Sequence, residues 1–185
     1  MKIQMEASLF IAFVGLFETV DGWVNTYDGP FTFACPQHEF ISHISSIHDN
    51  SKEDRIWDFR CSSLSTLNVN PEYFNTETCF WSEYVNNFDE PVVHQCPNKH
   101  FLAGFSSYHE NHYEDRRWKF YCCEIQGLHL EDCNYSGYVN SLDHPMDYTV
   151  PAGKILKGAV SINYDHEEDR VWEYEECNYV EYTLQ

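Results

Sequence analysis

Glycine is scarce in this 185-residue chain, with only 8 residues, and neither GxGxxG nor GxxxxGK[ST] occurs. Backbone loops that cradle phosphates need such glycines, so nucleotide-dependent chemistry is not expected. Positive charge is scarce too: 11 Lys plus Arg stand against 30 Asp plus Glu, a formal charge of −19. A polyanion of this kind repels nucleic acid and anionic membrane at long range, which argues against a nucleic-acid binder. Long hydrophobic runs are missing. The longest, Ala7 to Phe17 (ASLFIAFVGLF), is too short to span a bilayer, so no membrane insertion is expected. No window carries a helical stripe. Aromatics, in contrast, make up 17% and hydrophobic residues 43%, too many for a disordered acidic tail. Eight cysteines in so short a chain point to disulfides or metal.

The N-terminus reads as a secretory signal over residues 1–22. Lys2 precedes the apolar run, and Val20-Asp21-Gly22 places permissive residues before Trp23, so cleavage is expected after Gly22. Removal takes Lys2, Glu6, Glu18 and Asp21, leaving 10 basic and 27 acidic residues, a formal charge of −17. The expected product, residues 23–185, is secreted and extracellular, where eight cysteines read as four disulfides. Zinc needs Cys and His gathered by short spacers, and only Cys122 and Cys123 are close, so no metal is expected there. Asn134-Tyr135-Ser136 is the one N-x-[ST] triplet, which makes Asn134 a candidate glycosylation site. Tyr164, Tyr174, Tyr179 and Tyr182 lie beside acids and are candidates for sulfation.

The chain repeats itself three times. Copy one opens with Trp23-Val-Asn and Asp28-Gly-Pro30 and closes with Glu53-Asp-Arg-Ile-Trp-Asp-Phe59. Copy two opens with Tyr84-Val-Asn and Asp89-Glu-Pro91 and closes with Glu114-Asp-Arg-Arg-Trp-Lys-Phe120. Copy three opens with Tyr138-Val-Asn and Asp143-His-Pro145 and closes with Glu168-Asp-Arg-Val-Trp-Glu-Tyr174. The offsets are 61 and then 54 residues, without a gap between opening and closing motif; the extra seven residues sit in a polar linker, Ser62 to Thr78. The copies are bounded at 23–62, 79–123 and 133–177 within one domain.

Repetition also pairs the cysteines. Cys35 and Cys61, and Cys96 and Cys122, are 26 apart, while copy three has Val150 and Glu176 at those positions. Cys79 and Cys123, and Cys133 and Cys177, are 44 apart, while copy one has Glu18 and Ser62. Cysteines that vanish in pairs are most simply bonded in pairs. The expected bridges, Cys35–Cys61, Cys96–Cys122, Cys79–Cys123 and Cys133–Cys177, are one choice among 105 connectivities. Each contributes about 3–4 kcal/mol on the chain-entropy view.

Alternation assigns the secondary structure. Arg55, Trp57, Phe59 and Cys61 share one face, as do Arg116, Trp118, Phe120 and Cys122, and Arg170, Trp172, Tyr174 and Glu176; period two with aromatics means a strand. Ile41–Ile47, Leu102–Tyr108 and Leu156–Ile162 read as a second strand in each copy. The opening segments read as strand edges entering turns at Asp28, Asp89 and Asp143. The fold expected is all-β and disulfide-stapled. Three copies of this length suit three small sheets about a pseudo-threefold axis, β-prism-like, with a β-trefoil-like arrangement as the alternative.

Catalytic chemistry is sparse. The motif residues Asp54, Arg55, Trp57, Asp115, Arg116, Trp118, Asp169, Arg170 and Trp172 could bind a sugar by stacking and hydrogen bonds. A structural role is favoured, because a motif demanded in every copy is usually what builds the copy. His48-Asp49 and His109-Glu110 become Asn163-Tyr164 in copy three and read as surface polar turns rather than acid–base pairs. No triad can be drawn, so no catalytic residue is assigned and no enzyme is expected. The acid runs Asp165–Asp169 and Glu173–Glu176 are weak calcium candidates without an EF-hand pattern; otherwise no cofactor is implied. Arg116, Arg117 and Lys119 form the only compact basic spot, the candidate contact for an anionic ligand.

The three Asp-Arg-x-Trp-x-[Phe/Tyr] closings, each preceded by an aromatic-Val-Asn opening, resemble the dermatopontin family. The likeness is greatest over Ser107 to Cys123 and runs from about Trp23 to Tyr179. The family comprises tyrosine-rich acidic matrix proteins and invertebrate haemagglutinin/amebocyte aggregation factors. The resemblance implies a secreted, non-enzymatic protein that contacts matrix proteins such as collagen or a proteoglycan core, or agglutinates cells through surface glycans, with self-association in either role. The strongly acidic charge departs from that pattern and argues against broad binding to sulfated glycans. The Cys-Pro layout is also loosely similar to vitelline membrane outer layer proteins, which are threefold β-prisms.

Overall fold

The computed structural model describes residues 22–67 and 77–181. Of the expected leader only Gly22 falls within them, and Tyr182 lies outside. Copy one forms β1 (Phe31–Ala34), β2 (Glu39–Asp49) and β3 (Asp54–Ser63), followed by a short 3-10 helix, Leu64–Leu67. β4 (Thr78–Trp81) leads into β5 (Val92–Gln95), β6 (Phe101–Glu110) and β7 (Asp115–Glu124) of copy two. β8 (Leu128–Tyr135) leads into β9 (Met146–Thr149), β10 (Lys154–Tyr164) and β11 (Asp169–Glu181) of copy three. The described residues are therefore all-β apart from that single 3-10 turn.

In each copy the two long strands form an antiparallel hairpin, β2–β3, β6–β7 and β10–β11. Their tight ends place Glu53, Glu114 and Glu168 at positive φ (45°, 44° and 43°), where side-chain-bearing residues are uncommon. The short strand of each copy leaves its own hairpin. β1 pairs with β6, β5 with β10, and β9 with β2, which gives sheets ordered β1-β6-β7-β4, β5-β10-β11-β8 and β3-β2-β9. Each copy thus completes its neighbour's sheet, and the exchange closes on itself. A bulge receives the incoming strand at equivalent places. The register slips between Ile41 and His43, Leu102 and Gly104, and Leu156 and Gly158. The bulged carbonyls of Ser42, Ala103 and Lys157 accept hydrogen bonds from the amides of Val150, Cys35 and Cys96 at 3.0, 2.8 and 2.9 Å. Gly104 permits this approach, since a Cβ there would stand 2.4 Å from the Phe33 carbonyl oxygen.

Two apolar clusters result. The central one gathers Trp57, Trp118, Trp172, Phe59, Phe105, Phe120 and Tyr174 from all three copies. The second holds Phe40, Phe101, Ile125, Leu128 and Ile155, together with Leu64 and Leu67. The stretch expected to be a polar linker therefore begins with two buried leucines that cover a second core. The cysteines form Cys35–Cys61 and Cys96–Cys122, which tie the end of an exchanged strand to the hairpin of its own copy, and Cys79–Cys123 and Cys133–Cys177, which tie β4 and β8 to neighbouring strands. Where copy three lacks the first kind of bridge, the Tyr148 hydroxyl donates to Glu176 Oε1 at 2.5 Å.

One expectation about the strands needs correction, and two strands went unforeseen. The aromatic-Val-Asn openings are not strands. Each gives one backbone bond, from Val24, Val85 and Val139 to the carbonyls of Trp57, Trp118 and Trp172 at 2.7, 2.9 and 2.9 Å. Strands β4 and β8 were not expected: β4 is only four residues long and alternates between exposed and half-buried with no buried residue, and β8 is buried only at its start.

Candidate functional site

The repeat motif is built around an asparagine that stands in for a strand. Asn25 Oδ1 accepts from the Trp57 amide at 2.8 Å, and its Nδ2 donates to the Arg55 carbonyl at 3.0 Å. Asn86 does the same for Trp118 and Arg116, both at 3.0 Å, and Asn140 for Trp172 and Arg170 at 2.9 and 2.8 Å. One buried side-chain amide thereby satisfies both backbone groups of the Arg-x-Trp edge. The Asp of the opening turn, at positive φ in Asp28, Asp89 and Asp143, gives its amide to the Asp of the closing motif, Asp54, Asp115 and Asp169, at 2.8, 2.8 and 2.9 Å.

The arginines then join the copies. Arg55 grips Asp169, Arg116 grips Asp54 and Arg170 grips Asp115, each through Nε and Nη2 to the two carboxylate oxygens at 2.6 Å. The three pairs form a closed ring. Each arginine also donates from Nη2 to a turn carbonyl, His144, Gly29 or Glu90 respectively, at 3.1, 3.1 and 3.0 Å. Inside the ring, Trp57, Trp118 and Trp172 meet edge-on, with centroids 5.1, 5.6 and 4.7 Å apart, and each is 1% exposed. The motif residues are thus interior.

Other candidates fare differently. Arg116 is 4% exposed and spent on Asp54, so the basic spot expected at Arg116, Arg117 and Lys119 is reduced to two cations. Arg117 and Lys119 both lie over the Tyr84 ring, at 4.9 and 4.5 Å. Tyr174 is fully buried and stacked on Tyr148, so folded protein does not offer its hydroxyl for sulfation; burial also pushes that hydroxyl's pKa up. Tyr164 is exposed and Tyr179 half-buried; Asn134 is exposed on β8. His48 and His109 are not surface turn residues. Both are buried at the hairpin ends, His48 beside Glu53, Asp143 and Asp169, and His109 beside Asp28 and Glu114, at 3.4–3.8 Å. The strands expected from alternation stop one residue short, at Ile47 and Tyr108, whereas β2 and β6 run on through both histidines, and their acidic neighbours come from the hairpin turn and from other copies.

Three acids of the two runs are committed to structure. Asp169 holds Arg55, Glu175 accepts from Gln95 Nε2 at 2.7 and 2.8 Å, and Glu176 accepts from Tyr148. Among the described residues, Asp165–Asp169 supplies none of the close groups of three ligand atoms. Asp28, Asp54 and His109 bring ligand atoms within 4.8 Å of one another, but Asp54 already carries the Arg116 guanidinium, which opposes a cation. The remaining close groups of this kind contain disulfide sulfurs, which offer no thiolate. Glu168 is crowded by burial and by Asp89, Asp165, Glu53 and Glu114, which together push its carboxyl above the usual range. Asp89 is raised likewise, first by burial and then by Asp115 and Asp165.

The sequence model of the dermatopontin family matches residues 25–181. The chain belongs to the dermatopontin family. It is 41% identical over 155 residues to the dermatopontin of Biomphalaria glabrata, covering 84% of this chain and 99% of the relative. It is 39% identical over 159 residues to the hemagglutinin/amebocyte aggregation factor of Limulus polyphemus, covering 85% and 87%. Human dermatopontin is 29% identical over 173 residues, covering 89% and 81%. No solved structure matches the chain significantly.

With its motif internal, this dermatopontin-family chain presents other aromatics outward, among them Tyr84, Tyr113, Tyr138 and Tyr164. On copy two, Tyr84, Tyr108, Phe88 and Tyr113 form a continuous chain of ring contacts, 5.2, 5.6 and 4.7 Å between centroids. On copy three the corresponding place is an open groove lined by Tyr138, Tyr164, Asn140, Ser141 and His144, with Tyr138 56% and Tyr164 41% exposed. No helix among the described residues is long and apolar enough to cross a membrane.

Proposed function

We propose that this chain is a secreted, non-enzymatic adhesion protein of the extracellular matrix, with residues 1–22 its removed leader. Its three copies form one β-prism-like domain about a pseudo-threefold axis. The carrying observation is that every repeat-motif Asp, Arg and Trp is consumed in the interior ring, which leaves aromatic and acidic outer faces as the means of contact. Three similar faces, each weak, gain avidity on a partner that presents many sites. With acids far outnumbering bases, the favoured partners are basic stretches on matrix proteins such as collagen or a proteoglycan core. Asn134 is a candidate glycosylation site, and Tyr164, Tyr179 and Tyr182 are candidates for sulfation.

A second reading, a multivalent agglutinin of cell-surface glycans, is supported by the copy-three groove, which sets two exposed tyrosines beside polar side chains. It is supported too by the likeness to a protein named as a hemagglutinin. The test is binding of the purified chain to immobilised collagen and to red cells, with added monosaccharide and with increasing salt. Collagen binding that weakens with salt and ignores monosaccharide supports the matrix reading; salt-insensitive agglutination blocked by a simple sugar replaces it with the lectin reading.

A further inference from the structure

The interior ring leaves donors over. Each arginine uses Nε and Nη2, so Nη1 of Arg55, Arg116 and Arg170 is buried without a partner; so is the indole Nε1 of Trp57, Trp118 and Trp172. These six residues line one small central cavity of about 20 Å³, room for a single water-sized occupant. A guanidinium Nη1 carries two hydrogens and an indole one, and neither group can accept. A buried donor left unmade costs about 1–3 kcal/mol, so repetition of the same orphan in all three copies calls for an acceptor in the cavity.

The character of the wall decides which acceptor. The Asp oxygens in it are already taken, Oδ1 by Nε and Oδ2 by Nη2 and a backbone amide. A water would accept only two of the leftover hydrogens and bring two of its own. A monatomic anion accepts from every direction and brings none. Glu53, Glu114 and Glu168 also line the cavity, and Glu53 and Glu114 are more than a third exposed where the arginines are buried, so carboxylates form its outer wall. They repel a divalent or polymeric anion more strongly than a monovalent one. We propose that the central cavity binds one halide ion, chloride or bromide, held by the spare Nη1 and indole N–H donors of the three Arg-x-Trp strands.

The experiment compares thermal unfolding in sodium chloride and sodium bromide with sodium gluconate and sodium sulfate at equal ionic strength, and soaks crystals in bromide. Chloride and bromide should raise the melting temperature by about 3–6 °C per tenfold concentration above the dissociation constant. Gluconate should not, sulfate should add only the non-saturating stabilisation of an excluded salt, and bromide should give an anomalous peak in the cavity. Trp118→Phe keeps an aromatic ring while removing one donor, and should lose a large part of the halide-specific rise. Identical melting in chloride, bromide and gluconate, or a cavity that holds a water after the bromide soak, overturns the proposal. A halide effect unchanged in both Trp118→Phe and Trp172→Phe overturns the assignment to this cavity.

Discussion

Trp118 touches Phe31, Trp57 and Trp172 edge-on at 5.8, 5.1 and 4.7 Å, so truncation opens a cavity among rings that hold one another. Trp118→Ala should cost about 3–5 kcal/mol in urea unfolding. Arg116→Ala should cost a similar amount for a different reason, since it strands the buried Asp54 carboxylate; breaking a buried pair costs about 3–5 kcal/mol. Adding Asp54→Asn to Arg116→Ala should recover part of the loss, and a double-mutant cycle reads the coupling. Glu168 carries the clearest pH signature. Its carboxyl is raised above the ordinary 4.5 by burial and four neighbouring carboxylates, so the folded state favours its neutral form. Its stabilising contribution is complete below that ordinary value and is lost as pH rises through the raised folded value. Glu168→Gln should therefore melt higher than wild type at pH 7, with the gap closing as the pH falls toward 4.

At the scale of elements, the short strands exchanged between copies are the weak points to probe. Gly104→Val places a side chain where a Cβ alone would be 2.4 Å from the Phe33 carbonyl, so β1 must lift from β6. Hydrogen exchange should show the Phe31–Ala34 amides losing protection before β7 does. Cys35–Cys61 anchors the far end of that same strand to β3, so Cys35→Ala with Cys61→Ala should loosen the same amides. Tyr148→Phe in copy three removes the hydrogen bond to Glu176 that stands where copies one and two have a bridge, and should loosen β9 less than the loss of a covalent link loosens β1. Non-reducing peptide mapping checks the covalent framework, and a Cys61–Cys79 peptide or a free thiol would contradict it.

For the molecule as a whole, charge sets the expectation. With 30 acids against 11 bases, and with Arg55, Arg116 and Arg170 each sealed inside against an aspartate, the whole formal excess of acid stays outside the ring. Heparin should bind poorly in physiological salt. What binding there is should depend on Arg117 and Lys119, so Arg117→Glu with Lys119→Glu should abolish it while leaving collagen binding unchanged or stronger. Column retention on heparin across a salt gradient measures this directly.

Strand identity and the all-β class were legible in the sequence, because alternation in Arg55-Ile-Trp-Asp-Phe59 and its two counterparts reports burial on one face, a property of the strand alone. Family membership was legible for the same reason: the motifs are local and contiguous. The roles of those motifs were not. That Arg55 pairs with Asp169, and Arg116 with Asp54, follows from strands crossing into neighbouring sheets, and spacing within a copy carries no record of which copy lies alongside. The same crossing buried His48 and His109 among acids from other elements and took Arg116 out of the basic spot. Tyr174 has the acidic neighbours of a modification site, yet its strand position turns it into the core. Short strands such as Thr78–Trp81 escaped because four half-exposed residues hold too little pattern; they exist by pairing with a neighbour that only the folded chain supplies.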